Sequence, residues 1–376
     1  MLAGFATALT LVLLEIVLRY APVPLQQLQA LEGLRGCYRV DAEGLLETVP
    51  GWSSDLTVDD QTHTIHINSI GLRGPEVPAP VAGEQRILML GDSFVMGYGV
   101  GDDETIPAIL EAELNRDGGP PVRIGNAGML GTGPREWAHT LARFQSSFDP
   151  TMVVACCYAG NDPGDTMSHP LSAVDGWLLP GPVALLQDSS WRVWLGLRWR
   201  TWLFLEVNLL LQHWPIVPPA PDFSILPPGL IAWEGYFLDV VPEREQEAPW
   251  IQPVGDLLKR QFTAFREQAG SLPVLVVVLP GHEASSRDKW REGLGKVLTS
   301  ATLQDRVDDF ERGACSARIA KWAEESGLTT LDLTGPMLAL EDSNPLYLPT
   351  DYHYSAQGCR QVAEWMLPAI ETMLSR

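Results

Sequence analysis

The chain has 376 residues, 45% of them apolar and 19% charged, a balance that fills a sizeable core and excludes a disordered polypeptide. Its 47 Asp and Glu against 26 Lys and Arg leave a formal charge of -21, which repels phosphate backbones and anionic headgroups and argues against nucleic acid as a partner. The five cysteines, Cys37, Cys156, Cys157, Cys315 and Cys359, show no metal-ligand spacing and read as small core residues; one disulfide among them stays open, with no partners indicated.

In chain order, Met1 to Leu18 is almost wholly apolar, interrupted by Glu15 and closed by Arg19. A helix of about 18 residues is near the minimum that crosses a bilayer, so residues 1–19 are expected to form an uncleaved membrane anchor. A cleaved signal peptide would carry a basic start and a small-residue cleavage site, neither of which is visible; a helix buried against a partner is the other reading. Residues 20–80, rich in proline, glycine and polar groups, read as a linker and N-terminal extension. They carry one alternating stretch, Thr62 to Asn68, with strand period. His63 and His66 in that stretch are three apart, hence on opposite strand faces, which argues against a shared metal.

From residue 81 onward the pattern becomes an alternation of strands and helices. Ile87–Leu90, Val122–Ile124, Met152–Tyr158, Val274–Leu279 and Leu328–Leu333 read as strands, the first, third and fourth of them as apolar runs; Thr105–Leu114, Glu136–Phe144, Val254–Ala269, Ala314–Ser326 and Tyr354–Leu374 read as helices. Continuous apolar strands separated by helices predict a parallel sheet covered on both faces, an α/β/α sandwich. Residues 163–250 interrupt the alternation with many prolines and a tryptophan-rich segment, Trp191 to Trp214. That segment reads as a helical insertion packed on the core, or as a face meeting a membrane interface or a membrane protein complex.

Distinctive residues stand where strands end, which is where open α/β sheets place their chemistry. Gly91-Asp92-Ser93 follows the first strand, Gly125-Asn126 through Gly131 the second, and Gly160-Asn161-Asp162 the third; Asp351-Tyr352-His353 precedes the last helix. A serine hydroxyl needs a base to take its proton, histidine is suited to that task near neutral pH, and a carboxylate orients the imidazole. Backbone N–H groups and an amide side chain can hold an oxyanion. His139, His169, His213 and His282 have no partner pattern, and Asp162 and Asp165 read as solvated loop carboxylates. No GxSxG elbow and no glycine-rich phosphate motif is present.

Four blocks carry a resemblance. "LGDSFVMGYGV", "NAGMLGTG", "AGND" and "DYHYSAQG" occur in that order over residues 86–360, and together they resemble the blocks of the SGNH (GDSL-type) hydrolases. "GLRGPEV" at residues 71–77 and the apolar start followed by "EIVLR" look like a membrane-anchored bacterial branch of that family. The resemblance implies a three-layer α/β/α sandwich with a parallel, flavodoxin-like sheet at 81–376, added to the N-terminal transmembrane helix. It implies Ser93 as nucleophile, His353 as general base and Asp351 as its carboxylate partner. The oxyanion hole would take the Ser93 N–H, Gly131 and the Asn161 amide, with Gly128 as the alternative register. The spacing departs from the DxxH of many relatives, since this chain has DxH. Asp92 is expected to hold the turn around Ser93.

The expected function is a serine esterase acting through an acyl-enzyme on an ester, O-acetyl groups of a glycan or cell-envelope component among the options, without metal or organic cofactor. Acetyl transfer would use the same residues with a sugar as acceptor. The expected setting is single-pass and membrane-anchored, with the catalytic domain extracytoplasmic. The alternative is an accessory subunit of a membrane assembly whose catalysis is secondary or lost.

Overall fold

The computed structural model describes residues 9–16, 33–167, 171–174, 176–180, 235–297, 310–340, 346–349 and 351–375. Two antiparallel hairpins come first. Strand β1 (Tyr38–Val40) pairs with β2 (Leu46–Thr48), and β3 (Ser53–Val58) with β4 (Gln61–His66). The turn between β3 and β4 consists of Asp59 and Asp60, both at positive φ (48° and 61°), the left-handed pair that a two-residue hairpin turn needs to match the strand twist. Apolar residues on these segments, Leu34, Tyr38, Leu46, Leu56, Ile65 and Ile67, bury together with Met96, Tyr98, Met129 and Leu348. Much of the region expected as a linker therefore folds as a small layer against the main domain. Its signal was faint because the strands are short and only one alternates cleanly.

The main sheet follows. Strand β5 (Gln85–Gly91) leads into the four-residue helix α1 (Ser93–Met96) and then α2 (Ile106–Leu114). Strand β6 (Val122–Gly128) leads to α3 (Pro134–Phe144), and β7 (Met152–Tyr158) to α4 (Asp162–Met167). A hairpin of β8 (Leu171–Val174) and β9 (Trp177–Pro180) comes next. Helix α5 (Ile251–Ala269), β10 (Val274–Leu279), α6 (Arg287–Val297), α7 (Ala314–Glu325), β11 (Thr329–Asp332), α8 (Thr334–Leu338) and α9 (Ala356–Leu374) complete the order. The five strands pair in parallel in the order β11-β10-β7-β5-β6. This is the flavodoxin-like order, and it reverses between β5 and β7, where such sheets open a crevice at their carboxyl ends.

Strand period 2 divides the core. Leu88, Leu90, Val153, Ala155, Cys157, Val276 and Val278 face one side, where Trp137, Leu141, Phe262, Phe265 and Ile319 cover them. Ile87, Met89, Val154, Cys156, Leu275 and Val277 face the other, beneath Ile106, Leu110, Val362 and Met366. The central strands β5, β7 and β10 carry continuous apolar runs because both of their faces are buried, whereas the edge strand β11, Thr-Thr-Leu-Asp, is partly exposed. Cys156 and Cys157, adjacent in sequence, point into opposite layers, and all five cysteines are buried thiols with no disulfide among them.

The edge strand β6 is closed by side chains. Asn115 at the end of α2 both accepts from Val122 N (3.0 Å) and donates to its carbonyl (2.8 Å), while Glu111 takes Ile124 N at 2.6 Å. Pairing by side chains removes the open ladder that would invite another strand.

Among the described residues no helix is long and apolar enough to cross a membrane. Of the expected anchor, residues 9–16 are described; they are helical, with Leu9, Leu11, Val12, Leu13 and Ile16 exposed. The tryptophan-rich segment 191–214 lies outside the described residues.

Candidate active site

Ser93 sits two residues beyond Gly91, the partner of Gly128 in the sheet, at the start of α1, and it is 7% exposed. The turn that presents it depends on close backbone approach. A Cβ on Gly128 would lie 2.1 Å from Met96 N, and one on Gly91 would lie 2.4 Å from Val95 Cγ2. Only glycine lets β5 and β6 run this close beneath the short helix. Asp92 caps α1 by accepting from Phe94 N at 2.9 Å, which makes it the structural residue expected. Asn126 supports the same helix by donating to Val95 O at 3.0 Å.

His353 comes from far along the chain, on the segment before α9, whose Tyr354 packs in the same layer as Phe94 and Val95. Its loop is fastened by Leu348 N to His353 O (2.8 Å) and Ser355 N to Leu346 O (2.9 Å), and Ser355 caps α9. His353 Nε2 lies 2.7 Å from Ser93 Oγ, and His353 Nδ1 hydrogen-bonds Asp351 Oδ1. The DxH spacing works because His353 N also donates to the Asp351 carbonyl, a three-residue turn that brings both side chains to one side. With Nδ1–H donated to the carboxylate, Nε2 is free to accept the serine proton. The imidazole lies between Phe94 (centroids 4.9 Å) and Tyr98 (4.7 Å). Burial, followed by the Asp351 and Asp59 carboxylates, pushes the Tyr98 hydroxyl up, so it stays neutral beside the imidazole. Both aromatics stand inside the "SFVMGYGV" run, but nothing in their spacing announced contact with a histidine 255 or more residues away.

The three residues expected to react therefore meet. The expected oxyanion donors make no hydrogen bond to Ser93 or His353. Gly131 adopts φ 60°, and a Cβ there would strike Leu171 Cδ1 at 2.4 Å. Between the two registers, Gly128 N–H is already committed to Asn126 Oδ1 (3.0 Å), whereas no described acceptor takes the Gly131 N–H. Asn161 follows β7 and donates from Nδ2 to Asp165 Oδ2 at 2.8 Å. That bond uses one of its two amide hydrogens and fixes its orientation.

One expectation is corrected here. Asp162 is not solvated, and Asp165 is partly buried. Asp162 is fully buried and turns back to accept from Tyr158 N at 3.0 Å. Both lie in α4, close enough to the fully buried Asp92 for the charges to interact. Burial, opposed by the Phe94 N–H and by His353, pushes the Asp92 carboxyl up to about 6. Burial and then the Asp92 and Glu136 charges push Asp165 up to about 7. Asp162 is also raised, by burial first and the neighbouring carboxylates second. A strand end followed by a helix hid this, because an Asn-Asp turn in sequence looks the same whether water or protein covers it.

Of the remaining histidines, His139 on α3 meets Asp41 at 2.7 Å and His282 stacks on Tyr352 (4.2 Å); His169 and His213 lie outside the described residues. His63 and His66 both approach the 102–104 turn, His63 near Glu104 (3.8 Å) and His66 on Asp102 (2.7 Å). Among the described residues one group has side chains close enough to share a cation, Asp41, Glu43 and His139, with their ligand atoms within 4.8 Å of one another. It joins the β1–β2 turn to α3 and contributes no residue to the Ser93 site.

No known family model matches the chain, and no curated protein matches it. Solved structures similar to it include a lipase/acylhydrolase from Enterococcus faecalis, 13% identical, with a TM-score of 0.39 over 77% of this chain and 96% of that one. The psychrotrophic esterase EstA from Pseudoalteromonas sp. is 12% identical, with a TM-score of 0.38 over 78% and 100%. A member of the lipolytic G-D-S-L family from Veillonella parvula is 12% identical, with a TM-score of 0.36 over 76% and 98%. At this distance the case for chemistry rests on the residues of this chain.

Proposed function

We propose that this protein is a serine hydrolase that cleaves an acyl ester through an acyl-enzyme. The observation that carries the reading is the hydrogen-bonded row Ser93 Oγ, His353 Nε2 (2.7 Å), His353 Nδ1 and Asp351 Oδ1, at the carboxyl ends of the strands where the sheet order reverses. In the proposed reaction Ser93 Oγ attacks the ester carbonyl carbon while His353 takes its proton. The tetrahedral intermediate collapses, the C–O bond to the leaving alcohol breaks, and His353 returns the proton to that alcohol. Water then attacks the Ser93 ester with His353 as base, releasing the acid and restoring the serine hydroxyl. Asp351 stays ionised and stabilises the imidazolium. The Ser93 and Gly131 N–H groups and the Asn161 amide are assigned to the oxyanion, where fixed donors act most strongly. A sugar hydroxyl replacing water would make the reaction an acyl transfer. The segment 1–19 is assigned as a membrane tether that keeps the catalytic domain extracytoplasmic; carbonate-washed membranes that release the full-length chain would rule this out.

The deciding experiment is labelling with a fluorophosphonate followed by mass spectrometry. Modification of Ser93, and its loss in Ser93→Ala, is expected. Ester cleavage by folded protein in which Ser93 stays unmodified would overturn the assignment.

A further inference from the structure

Helix α1 has four residues, too few to hold its own C-terminal carbonyls by the usual i to i+4 ladder. Asn126 takes Val95 O, and a second side chain takes Met96 O together with two carbonyls of the turn that follows. Arg73 Nη1 donates to Met96 O and Gly97 O, both at 2.6 Å, and Nη2 donates to Val100 O at 2.6 Å. Arg73 Nε donates to Asp102 Oδ1 at 3.0 Å, and Asp102 in turn holds His66 at 2.7 Å. The Arg73 side chain is 1% exposed, and its backbone is fixed by donation to Asn126 O at 2.9 Å, beside the carboxyl end of β6. The site is shaped for this cation. Gly97 adopts φ 83°, and a Cβ there would lie 3.1 Å from Arg73 Nη1 and 2.5 Å from Thr105 Cγ2.

We infer that Arg73 is a positioning residue for the Ser93–His353 pair, an inference that rests on the ester-hydrolase reading above. Two routes lead from the guanidinium to the reacting atoms. Gly97 N and Tyr98 N both donate to the Ser93 carbonyl, at 2.9 and 3.0 Å, so fixing Gly97 fixes the backbone of Ser93. The loop from Gly97 to Val100, gripped at both ends by Arg73, carries the Tyr98 ring that lies against His353. The same grip therefore sets the nucleophile and one wall of the base. A buried guanidinium spent mostly on neutral carbonyls is a costly way to achieve stability alone, since well-packed apolar side chains fill such space at lower cost. A planar fork that reaches three carbonyls at fixed angles is something lysine, a point charge, cannot reproduce.

The test compares wild type, Arg73→Lys, Arg73→Met and Asp102→Asn. It reads the fluorophosphonate labelling rate at Ser93, kcat and KM on p-nitrophenyl acetate, and melting temperature. Arg73→Lys is expected to fold, to lose labelling rate and kcat together by about 10²-fold, and to keep KM within about twofold, the pattern of a displaced nucleophile. Asp102→Asn, which leaves the fork in place but loosens it, is expected to lose about tenfold on the same two readouts. Folded Arg73→Lys that labels and turns over within about threefold of wild type would overturn the inference. If Arg73→Met and Arg73→Lys do not fold, an Asp102→Asn variant with wild-type labelling overturns it equally. Wild-type protein that is folded yet unlabelled at Ser93 would instead defeat the ester-hydrolase reading itself, a result separate from any difference among variants.

Discussion

The two halves of the site are built in opposite ways. The nucleophile stands on the sheet. Ser93 is presented by β5, beneath it Gly91 and Gly128 admit no Cβ, and Asp92, Asn126 and Arg73 satisfy the short helix that carries it. The base stands on a loop. His353 and Asp351 remain partly exposed, with side chains 24% and 32% accessible, and they are aligned by a three-residue turn and a few backbone hydrogen bonds. The nucleophile is thus fixed by packing and the base by local backbone geometry. Changes on the loop should therefore alter rate with little change in stability, and changes beneath Ser93 should alter both.

The largest expected effects lie in the reacting groups themselves. Ser93→Ala and His353→Ala should each lower kcat by about 10⁶-fold at near wild-type melting temperature, measured on a short-chain ester. Asp351→Asn should lower kcat by about 10⁴-fold through the wrong imidazole tautomer, again with an unchanged melting temperature, because the carboxylate is half-exposed. An unfolded Asp351→Asn variant would break the contrast between loop and sheet. Gly128→Ala tests the other side. Its methyl cannot fit 2.1 Å from Met96 N, so stability should fall by about 3 kcal/mol in a denaturant titration, with loss of labelling at Ser93. A variant that kept both would show that the helix can shift without consequence.

The smallest effect concerns the carboxylates behind Ser93. Asp92 and Asp165 hold their protons more tightly folded than unfolded, with folded values of about 6 and about 7 against an ordinary 3.8. The folded state therefore binds more protons between pH 3.8 and 7. Their contribution is most favourable below that window and is lost as pH rises through it. Asp165→Asn keeps a partner for Asn161 and removes the charge. It should raise the melting temperature by a few degrees at pH 8 while leaving it unchanged near pH 4, a difference that a thermal melt at the two pH values reads directly. Equal shifts at both would remove burial as the cause.

The sequence by itself determined the elements of the sheet. The apolar runs at 87–90, 152–158 and 274–279 became the three central parallel strands because a strand buried on both faces must be apolar throughout, while the edge strands β6 and β11 admit polar residues such as Arg123 and Asp332. It also placed Ser93, Asn161 and His353 at the ends of elements, where side chains are free to do chemistry. What the sequence could not carry is whatever depends on residues far apart in the chain. Ser93 and His353 are 260 positions apart, and their contact exists only because the strand order brings the segment before α9 across the end of β5. Asp162 and Asp165 read as solvated because burial is decided by what covers a turn rather than by the turn's own residues. Arg73 stood in a recognisable motif, yet its partners at 96, 97 and 100 come from a different element. Local periodicity fixes which backbone groups pair within an element. Only the tertiary structure decides which carbonyls are left over, which charges are stripped of water, and which side chain is sent to meet them.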